Sequence, residues 1–343
     1  MSASSSVEWF ASSRVLIVAG KGGVGKTTVG ASVGVAAARS GLDVLLVELE
    51  GDSRLGRPFG AGVLGYAACE LERFEGGGRL RARHLTAREA MREYLDAGGT
   101  NRITGRLPRT GLVDLVTSAA PGLADLVLLG KIRQLEQKGE ADLIVVDAPA
   151  SGHAVGFLMA PRGLARAAAS GPVRHQAELA LELLADEDRC QVALVTLPEE
   201  GPVSEVIETG FILEDAVGVR LGPVVVNGCW APVDGLAGAV DRARGATTAP
   251  MAAARFRLER LAAQAEQTTR LARELPLAQV RLPFLFTPGV DRPGLDRLAE
   301  ALAVGPVVPS ASASTSASTS ASASASASTS TSTSTSTSTS TST

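Results

Sequence analysis

The chain has 343 residues, of which 33 are Lys or Arg and 36 are Asp or Glu, and its formal net charge is −3. This near balance gives no basis for a nucleic-acid-binding or membrane-surface electrostatic footprint, so nucleic acid is excluded as an expected partner. The three cysteines form no C-x-x-C pair and no signal sequence is apparent, which excludes a disulfide-stapled scaffold and predicts a cytoplasmic protein.

The first predicted elements follow an N-terminal extension of residues 1–13. The β-branched run 14–19 predicts a strand, the alanine- and valine-rich stretch 26–39 predicts a helix, and the apolar run 43–48 predicts a second strand. A strand, a turn, a helix and another strand of continuous apolar residues are typical of a parallel sheet that is covered on both faces.

Residues 56–140 contain few strand signals and are predicted to form a mainly helical insertion. Within it, 79–85 is a candidate strand, and helices are predicted at 87–95 and 112–137. Apolar runs after the insertion predict strands at 142–147, 191–196, 222–227 and 279–283. Helices are predicted among them at 153–169, 173–185, 203–216 and 251–275. The predicted fold is therefore α/β, with a mostly parallel sheet flanked by helices in one domain over 14–309.

The C-terminal segment 310–343 contains only alanine, serine and threonine. Its alternation has the period of a strand, but both faces would carry hydroxyls or alanine and bury nothing. The segment is therefore predicted to be a disordered tail.

A glycine-rich turn joins the first strand to the first long helix. Its sequence, GKGGVGKT at 20–27, fits the phosphate-loop pattern G-x-x-x-x-G-K-[ST]. The glycines let backbone N–H groups face phosphates, and the helix directs its positive end to the same place. Lys26 is predicted to reach the β- and γ-phosphates, and the Thr27 hydroxyl to bind Mg²⁺. The predicted nucleotide contacts are Gly20, Lys21, Gly22, Gly23, Val24, Gly25, Lys26, Thr27 and Thr28.

Lys21, one of only four lysines, follows the first glycine of this loop. This second lysine marks the deviant Walker A group of P-loop ATPases, and here the sequence resembles the ArsA-type family. That family includes the arsenite-pump ATPase and its relative that targets tail-anchored membrane proteins. The resemblance covers roughly 14–303 and implies the P-loop NTPase fold. It also implies that Lys21 reaches across a dimer interface to the partner's nucleotide.

Two further segments resemble the family at strand ends. Asp147 begins DAPASGH, which is similar to the family's segment D-T-A-P-T-G-H, and the resemblance implies that Asp147 holds Mg²⁺, usually through water. Asn227 ends VVVN, where the family hydrogen-bonds adenine. No N/T-K-x-D guanine-reading sequence follows, so ATP is favoured over GTP. Pro283 and Phe284 match the family segment that packs against the base, although simple core packing explains them nearly as well.

The switch residue is the main departure from the family pattern. The family places an aspartate soon after the second strand to orient the attacking water, and the alignment puts Glu50 there. Glutamate has the same charge and a longer reach, and Asp52 is the alternative. The remaining possibility is that neither residue is catalytic. Segment 120–135 resembles a single-domain bacterial branch of the family that tends to carry glutamate at this position.

The resemblance implies an ArsA-like ATPase that hydrolyses MgATP as a nucleotide-switched dimer. The dimer would be coupled to an unknown protein cargo or a membrane partner. Two alternatives remain: a weakly hydrolysing regulatory subunit of a hetero-oligomer, and a partitioning or positioning ATPase of the same class. The dimer is either a homodimer or a heterodimer with an ArsA-like paralogue. The family's zinc-bridged dimer needs C-x-x-C, which this sequence lacks, so no zinc is expected. The sequence leaves a role with arsenite open.

Overall fold

The computed structural model describes residues 8–49, 54–96, 122–149, 151–243, 245 and 248–307. The strands are β1 (Val15–Gly20), β2 (Asp43–Leu49), β3 (Cys69–Arg73), β4 (Arg79–Leu85), β5 (Leu143–Asp147), β6 (Cys190–Thr196), β7 (Val224–Cys229) and β8 (Gln279–Pro283). The helices are α1 (Glu8–Ala11), α2 (Lys26–Arg39), α3 (Ala87–Tyr94), α4 (Leu123–Gln137), α5 (Ser151–Ala167), α6 (Pro172–Ala185), α7 (Glu200–Ile212), α8 (Leu236–Arg242), α9 (Ala249–Glu274) and α10 (Arg292–Ala303).

The eight strands form one sheet in the order β3-β4-β2-β5-β1-β6-β7-β8. All neighbouring pairs are parallel except β3 and β4, which are antiparallel. The predicted α/β fold with a mostly parallel sheet is confirmed. Because these strands are parallel, the C-terminal ends of β1, β2, β5 and β7 all lie at the same edge of the sheet.

Alternate residues of the central strands pack on opposite faces of the sheet. Leu16 and Val18 of β1 belong to one buried cluster with residues of α2 and α10. Val15 and Ile17 belong to the other, with residues of α4, α5, α6 and α7. Both faces are apolar because helices cover both, which explains the unbroken apolar runs in the sequence.

The insertion predicted at 56–140 contains strands as well as helices, and β4 coincides with the candidate strand at 79–85. Its first half contributes two strands, β3 and β4, to the edge of the sheet, and β4 pairs with β2 over seven residues. The sequence CELER of β3 shows neither a clear apolar alternation nor an apolar run, because this edge strand has no fully buried side chain. The helical part comprises α3 and α4, and the first ten residues of the helix predicted at 112–137 lie outside the described residues.

The extension predicted at 1–13 is in part a piece of the core. Phe10 is fully buried and Trp9 nearly so, and both join the cluster on the α2 face. The Gln191 side chain on β6 donates a hydrogen bond to the Trp9 carbonyl at 2.7 Å. The predicted tail 310–343 lies outside the described residues. Within the described ranges, no helix is both long and apolar enough to cross a membrane.

Candidate active site

The glycine-rich loop leaves β1 and enters α2 directly, at the edge where the parallel strands end. Gly25 precedes the helix with φ 93°, in the left-handed region that favours glycine. A Cβ at this position would overlap the Asn227 side-chain nitrogen, and a Cβ at Gly20 would overlap the Val195 carbonyl oxygen. Glycine is therefore favoured at both positions by conformation. The space at Gly20 is closed by backbone, whereas that at Gly25 is closed by a side chain that can rotate. The helix that follows presents unpaired backbone N–H groups to this edge.

Thr27 and Asp147 meet at the sheet edge although 120 residues separate them. The Thr27 hydroxyl donates to Asp147 Oδ2 at 2.5 Å, which joins the start of α2 to the end of β5. Asp147 is only 9% exposed, and its other oxygen, Oδ1, is buried without a hydrogen-bond partner. The structure thus brings together the two residues that the sequence predicts as magnesium ligands.

The electrostatic surroundings of Asp147 disfavour its charge. The pKa of Asp147 is raised to about 6, mainly by burial, and the negative charge of Glu48 contributes to this rise. The Thr27 hydroxyl and the charge of Lys26 act in the opposite direction. A carboxylate in this setting is stabilised by a cation, which supplies the positive charge that its surroundings lack.

Lys26 lies in the first turn of α2, close to the same carboxylate. Its ammonium donates to the Lys21 carbonyl at 3.3 Å, which folds the side chain back over the loop. Burial lowers the pKa of Lys26, while the charges of Asp147 and Glu205 favour its protonated form. A partly desolvated ammonium over a glycine loop is suited to bind the phosphates of a nucleotide.

Lys21 points to a carboxylate of its own chain. Its ammonium lies 2.9 Å from the Glu205 carboxylate on α7, and both side chains are partly exposed. Glu205 also acts electrostatically on Lys26, so one carboxylate neighbours both lysines of the loop. Sequence reasoning missed Glu205, because α7 approaches the loop only through the packing of β6 beside β1.

The remaining loop residues differ in exposure. Val24 is buried in the core cluster below the loop, whereas Gly22 and Gly23 are exposed. The Thr28 carbonyl accepts a hydrogen bond from the Ser32 hydroxyl, one turn further along α2, at 2.8 Å. The loop is therefore anchored at Val24 and open at its tip, as a cradle for a polar ligand requires.

Asn227 contacts the loop from the end of β7. Its side-chain amide donates to the Val24 carbonyl at 2.8 Å. Pro283 and Phe284 lie at the end of the neighbouring strand β8, and the Phe284 N–H donates to the Cys229 carbonyl at 2.8 Å. The three residues predicted to surround the base thus lie on two adjacent strand ends beside the loop.

An aromatic cluster extends from these strand ends toward solvent. The Trp230 ring lies 5.9 Å from the ring of Phe284 and 5.4 Å from that of Phe286, between ring centroids. Phe256 of α9 packs on Trp230 as well, and Arg257 lies over the Trp230 ring at 5.4 Å. Phe286 is 64% exposed. The sequence carries the signal in the tryptophan after VVVNGC and the phenylalanines of PFLF, but only Phe284 was predicted.

Glu48 is a second buried carboxylate that sequence reasoning passed over. It lies at the end of β2, opposite Asp147 in the pairing of β2 with β5, and it is 5% exposed. The available signal is a charged residue that interrupts an apolar strand at the same sheet edge as Asp147. The predicted switch residues Glu50 and Asp52, two and four positions further on, lie outside the described residues.

A separate cavity of about 330 Å³ lies among α3, α4 and α6. Its lining is largely apolar, with Met91 and Val127 among the side chains. Beside it, the buried ammonium of Lys131 pairs with Glu93 at 2.7 Å, and Glu93 also accepts a hydrogen bond from Tyr66. This cavity lies between the helical part of the insertion and α6, and none of its lining residues belongs to the loop after β1.

The chain is similar in sequence to several proteins that are named as ATPases. The ArsA family model, described as an anion-transporting ATPase, matches residues 13–170. The chain is 36% identical over 238 residues to ATPase BagA of Mycobacterium tuberculosis (strain ATCC 25618 / H37Rv), covering 66% of this chain and 69% of that protein. It is 26% identical over 246 residues to the arsenical pump-driving ATPase of Escherichia coli, covering 62% of this chain and 39% of that protein. It is 27% identical over 156 residues to ATPase GET3 of Blastomyces gilchristii, or 45% of each chain.

Proposed function

The chain belongs to the ArsA family of anion-transporting ATPases and is an ATPase, and on that premise we propose that the loop at 20–28 binds MgATP for hydrolysis. The observation that carries the proposal is the contact between Thr27 and Asp147 beside Lys26. The hydroxyl and the buried carboxylate are suited to hold Mg²⁺, and the ammonium at the start of α2 is suited to bind the phosphates of a nucleotide.

The site fits a magnesium ion on its own chemistry. Asp147 Oδ1 is buried without a partner, and hard oxygen ligands of this kind suit Mg²⁺. Thr27 and Asp147 would hold the ion, directly or through water. When bound, Mg²⁺ would neutralise the charge that develops on the phosphates during transfer.

The chain's own residues would orient the nucleotide from three sides. The loop N–H groups and Lys26 would hold the phosphates, and the left-handed turn at Gly25 keeps this cradle clear of side chains. Asn227 would hydrogen-bond the base, and Pro283 and Phe284 would form its apolar wall. The absence of a guanine-reading sequence after Asn227 supports ATP over GTP.

We propose Glu50 as the residue that orients the attacking water, with Asp52 as the alternative. Either would receive the water's proton or hold the water in line with the γ-phosphate. Turnover measured in Glu50→Gln and Asp52→Asn separates them. The expected result is loss of turnover in Glu50→Gln with nucleotide affinity retained, whereas loss only in Asp52→Asn would reassign the role.

ATP hydrolysis by the purified full chain tests the proposal. Lys26→Ala is expected to abolish phosphate release, because the ammonium that binds the β- and γ-phosphates is removed. Lys138→Ala is the matched control, since Lys138 is an exposed lysine that follows α4. Hydrolysis that survives Lys26→Ala at the wild-type rate would contradict the proposal.

We further propose that ATP closes a dimer in which Lys21 leaves Glu205 and reaches the partner's nucleotide. The exposure of Lys21 supports this, since 47% of its side-chain surface stays accessible while its ammonium pairs with Glu205. Light scattering with and without ATP and Mg²⁺, alone and with an ArsA-like paralogue, would report the assembly. Lys21→Ala is expected to prevent an ATP-dependent increase in mass, and an unchanged increase would contradict the crossover.

We propose that the cargo is something other than arsenite bound through the cysteines. Cys69 lies on the edge strand β3, whereas Cys190 and Cys229 lie on β6 and β7 across the sheet. Cys190 is fully buried, as is common for cysteines that serve as small apolar residues. Stimulation of ATP turnover by arsenite that disappears after replacement of all three cysteines would contradict this proposal.

A further inference from the structure

A row of polar side chains crosses three neighbouring strands at the edge beside the loop. Glu48 on β2 is the register partner of Asp147 on β5 and of His84 on β4. Register partners in parallel strands point to the same face of the sheet. Leu46 and Val145, two residues earlier on β2 and β5, pack in the cluster beneath α2. Glu48 and Asp147 therefore both project to the α2 face, where Thr27 lies.

Each residue of this row keeps a buried polar atom that has no hydrogen-bond partner among the residues the structure describes. These atoms are Glu48 Oε2, Asp147 Oδ1 and His84 Nε2. Glu48 is 95% buried, and within the described part of the chain no lysine or arginine forms an ion pair with it. A buried carboxylate without a counter-charge is strongly unfavourable unless it pairs with a cation or a metal.

The other oxygen of Glu48 has a structural role. Oε1 accepts hydrogen bonds from the backbone N–H groups of Arg54 at 2.7 Å and of Leu55 at 3.3 Å. These bonds fix the orientation of the carboxylate through Oε1 and do not use Oε2. The negative charge of Glu48 also acts on Asp147 and raises its pKa, which places the two carboxylates in one electrostatic environment.

We propose that Glu48 is a second acidic residue of the magnesium site, acting with Asp147 and Thr27 on the ion and its water shell. The inference rests on the proposed function, because it assumes that MgATP binds at this loop. No set of three or more His, Cys, Asp or Glu side chains in the described ranges converges to hold a metal by itself. Mg²⁺ that keeps several waters and takes ligands from phosphates needs only one or two carboxylates, and Glu48 provides the second.

The test is a Mg²⁺ titration of the affinity of the full chain for a fluorescent, non-hydrolysable ATP analogue. Glu48→Gln keeps an oxygen that accepts from Arg54 and Leu55 but removes the charge at Oε2. The half-saturating Mg²⁺ concentration is expected to rise by about tenfold, as found when an outer-shell partner of a metal is lost. Glu136→Gln is the matched control, because Glu136 is equally buried but pairs with Arg189 at the opposite edge of the sheet. Its Mg²⁺ midpoint is expected to equal that of the wild type.

The outcomes separate this inference from the proposed function. If wild-type binding of the analogue does not depend on Mg²⁺, the proposed function fails together with the inference. If wild-type binding depends on Mg²⁺ and Glu48→Gln has the same midpoint, only the inference is overturned, and Glu48 is a loop anchor alone. Glu48→Asp provides a second variant that keeps the charge and shortens the side chain. Its midpoint is expected to lie between those of the wild type and Glu48→Gln, and a wild-type midpoint would also overturn the inference.

Discussion

Replacement of Gly25 by alanine tests the geometry of the loop without any ligand. Gly25 adopts φ 93° and Gly23 adopts φ 87°, so alanine would meet nearly the same backbone strain at both positions. Their surroundings differ. A Cβ at Gly25 would overlap the Asn227 side-chain nitrogen, whereas a Cβ at Gly23 would meet nothing within 4 Å. Gly23→Ala is therefore the matched control for Gly25→Ala.

The expected magnitudes follow from these contacts. Left-handed backbone costs an alanine about 1–2 kcal/mol, and both variants lose this from the free energy of unfolding. In Gly25→Ala the end of the Asn227 side chain must also rotate away, which breaks its 2.8 Å bond to the Val24 carbonyl. Loss of one such bond costs about 1 kcal/mol. Gly25→Ala is therefore expected to lose about 1 kcal/mol more than Gly23→Ala.

The assay is urea denaturation of the nucleotide-free chain, so that no phosphate contact contributes. In an Asn227→Ala background the difference between the two glycine variants is expected to vanish, because the overlapping side chain is gone. If the two glycine variants lose the same free energy of unfolding in the wild-type background, the proposed contact with Asn227 is refuted. A difference between them that persists in the Asn227→Ala background would refute it as well.

Three further predictions concern other parts of the molecule. Glu205→Gln removes a negative charge beside Lys21 and Lys26. Nucleotide affinity measured by calorimetry is expected to rise by up to about fivefold, because a partly exposed ion pair contributes little free energy. Weaker nucleotide binding by the variant would count against the prediction. Glu136→Ala removes the buried ion-pair partner of Arg189. The variant is expected to lose about 2–3 kcal/mol of the free energy of unfolding. A loss below about 0.5 kcal/mol in urea denaturation would be inconsistent with this role of the pair. Thiol labelling of the native protein at pH 8 is expected to modify exposed Cys69 quickly and to leave Cys190 unmodified until the protein unfolds. The reason is that burial raises the pKa of the Cys190 thiol to about 12. Rapid labelling of Cys190 would contradict this prediction and show that β6 is accessible to the reagent.

The central strands and the loop are the parts of the fold that the sequence predicts best. Continuous apolar runs such as 143–146 are typical of strands that are covered on both faces of a parallel sheet. The turn at 20–27 is recognisable because its glycines serve a local backbone requirement. Edge strand β3 escapes prediction because its side chains are half-buried or exposed, so neither alternation nor an apolar run marks it.

The contacts that complete the candidate site depend on tertiary packing. Glu48 becomes a neighbour of Asp147 only through the register of β2 with β5, which a strand pattern does not contain. Glu205 reaches Lys21 because β6 pairs with β1 and carries α7 to the loop. Sequence reasoning that aligns one position at a time finds the residues of a motif and misses partners of this kind.

The Mg²⁺-dependent affinity for ATP in a double-mutant cycle of Thr27 and Asp147 tests the central claim most directly. The two side chains lie 2.5 Å apart, and the account assigns them to one magnesium site. Thr27→Ala and Asp147→Asn are each expected to remove most of the gain in affinity that Mg²⁺ provides. The double variant is expected to bind ATP only slightly less tightly than the single variant with the lower affinity, because both residues act on the same ion. Additive losses, or wild-type affinity that does not respond to Mg²⁺, would contradict the claim.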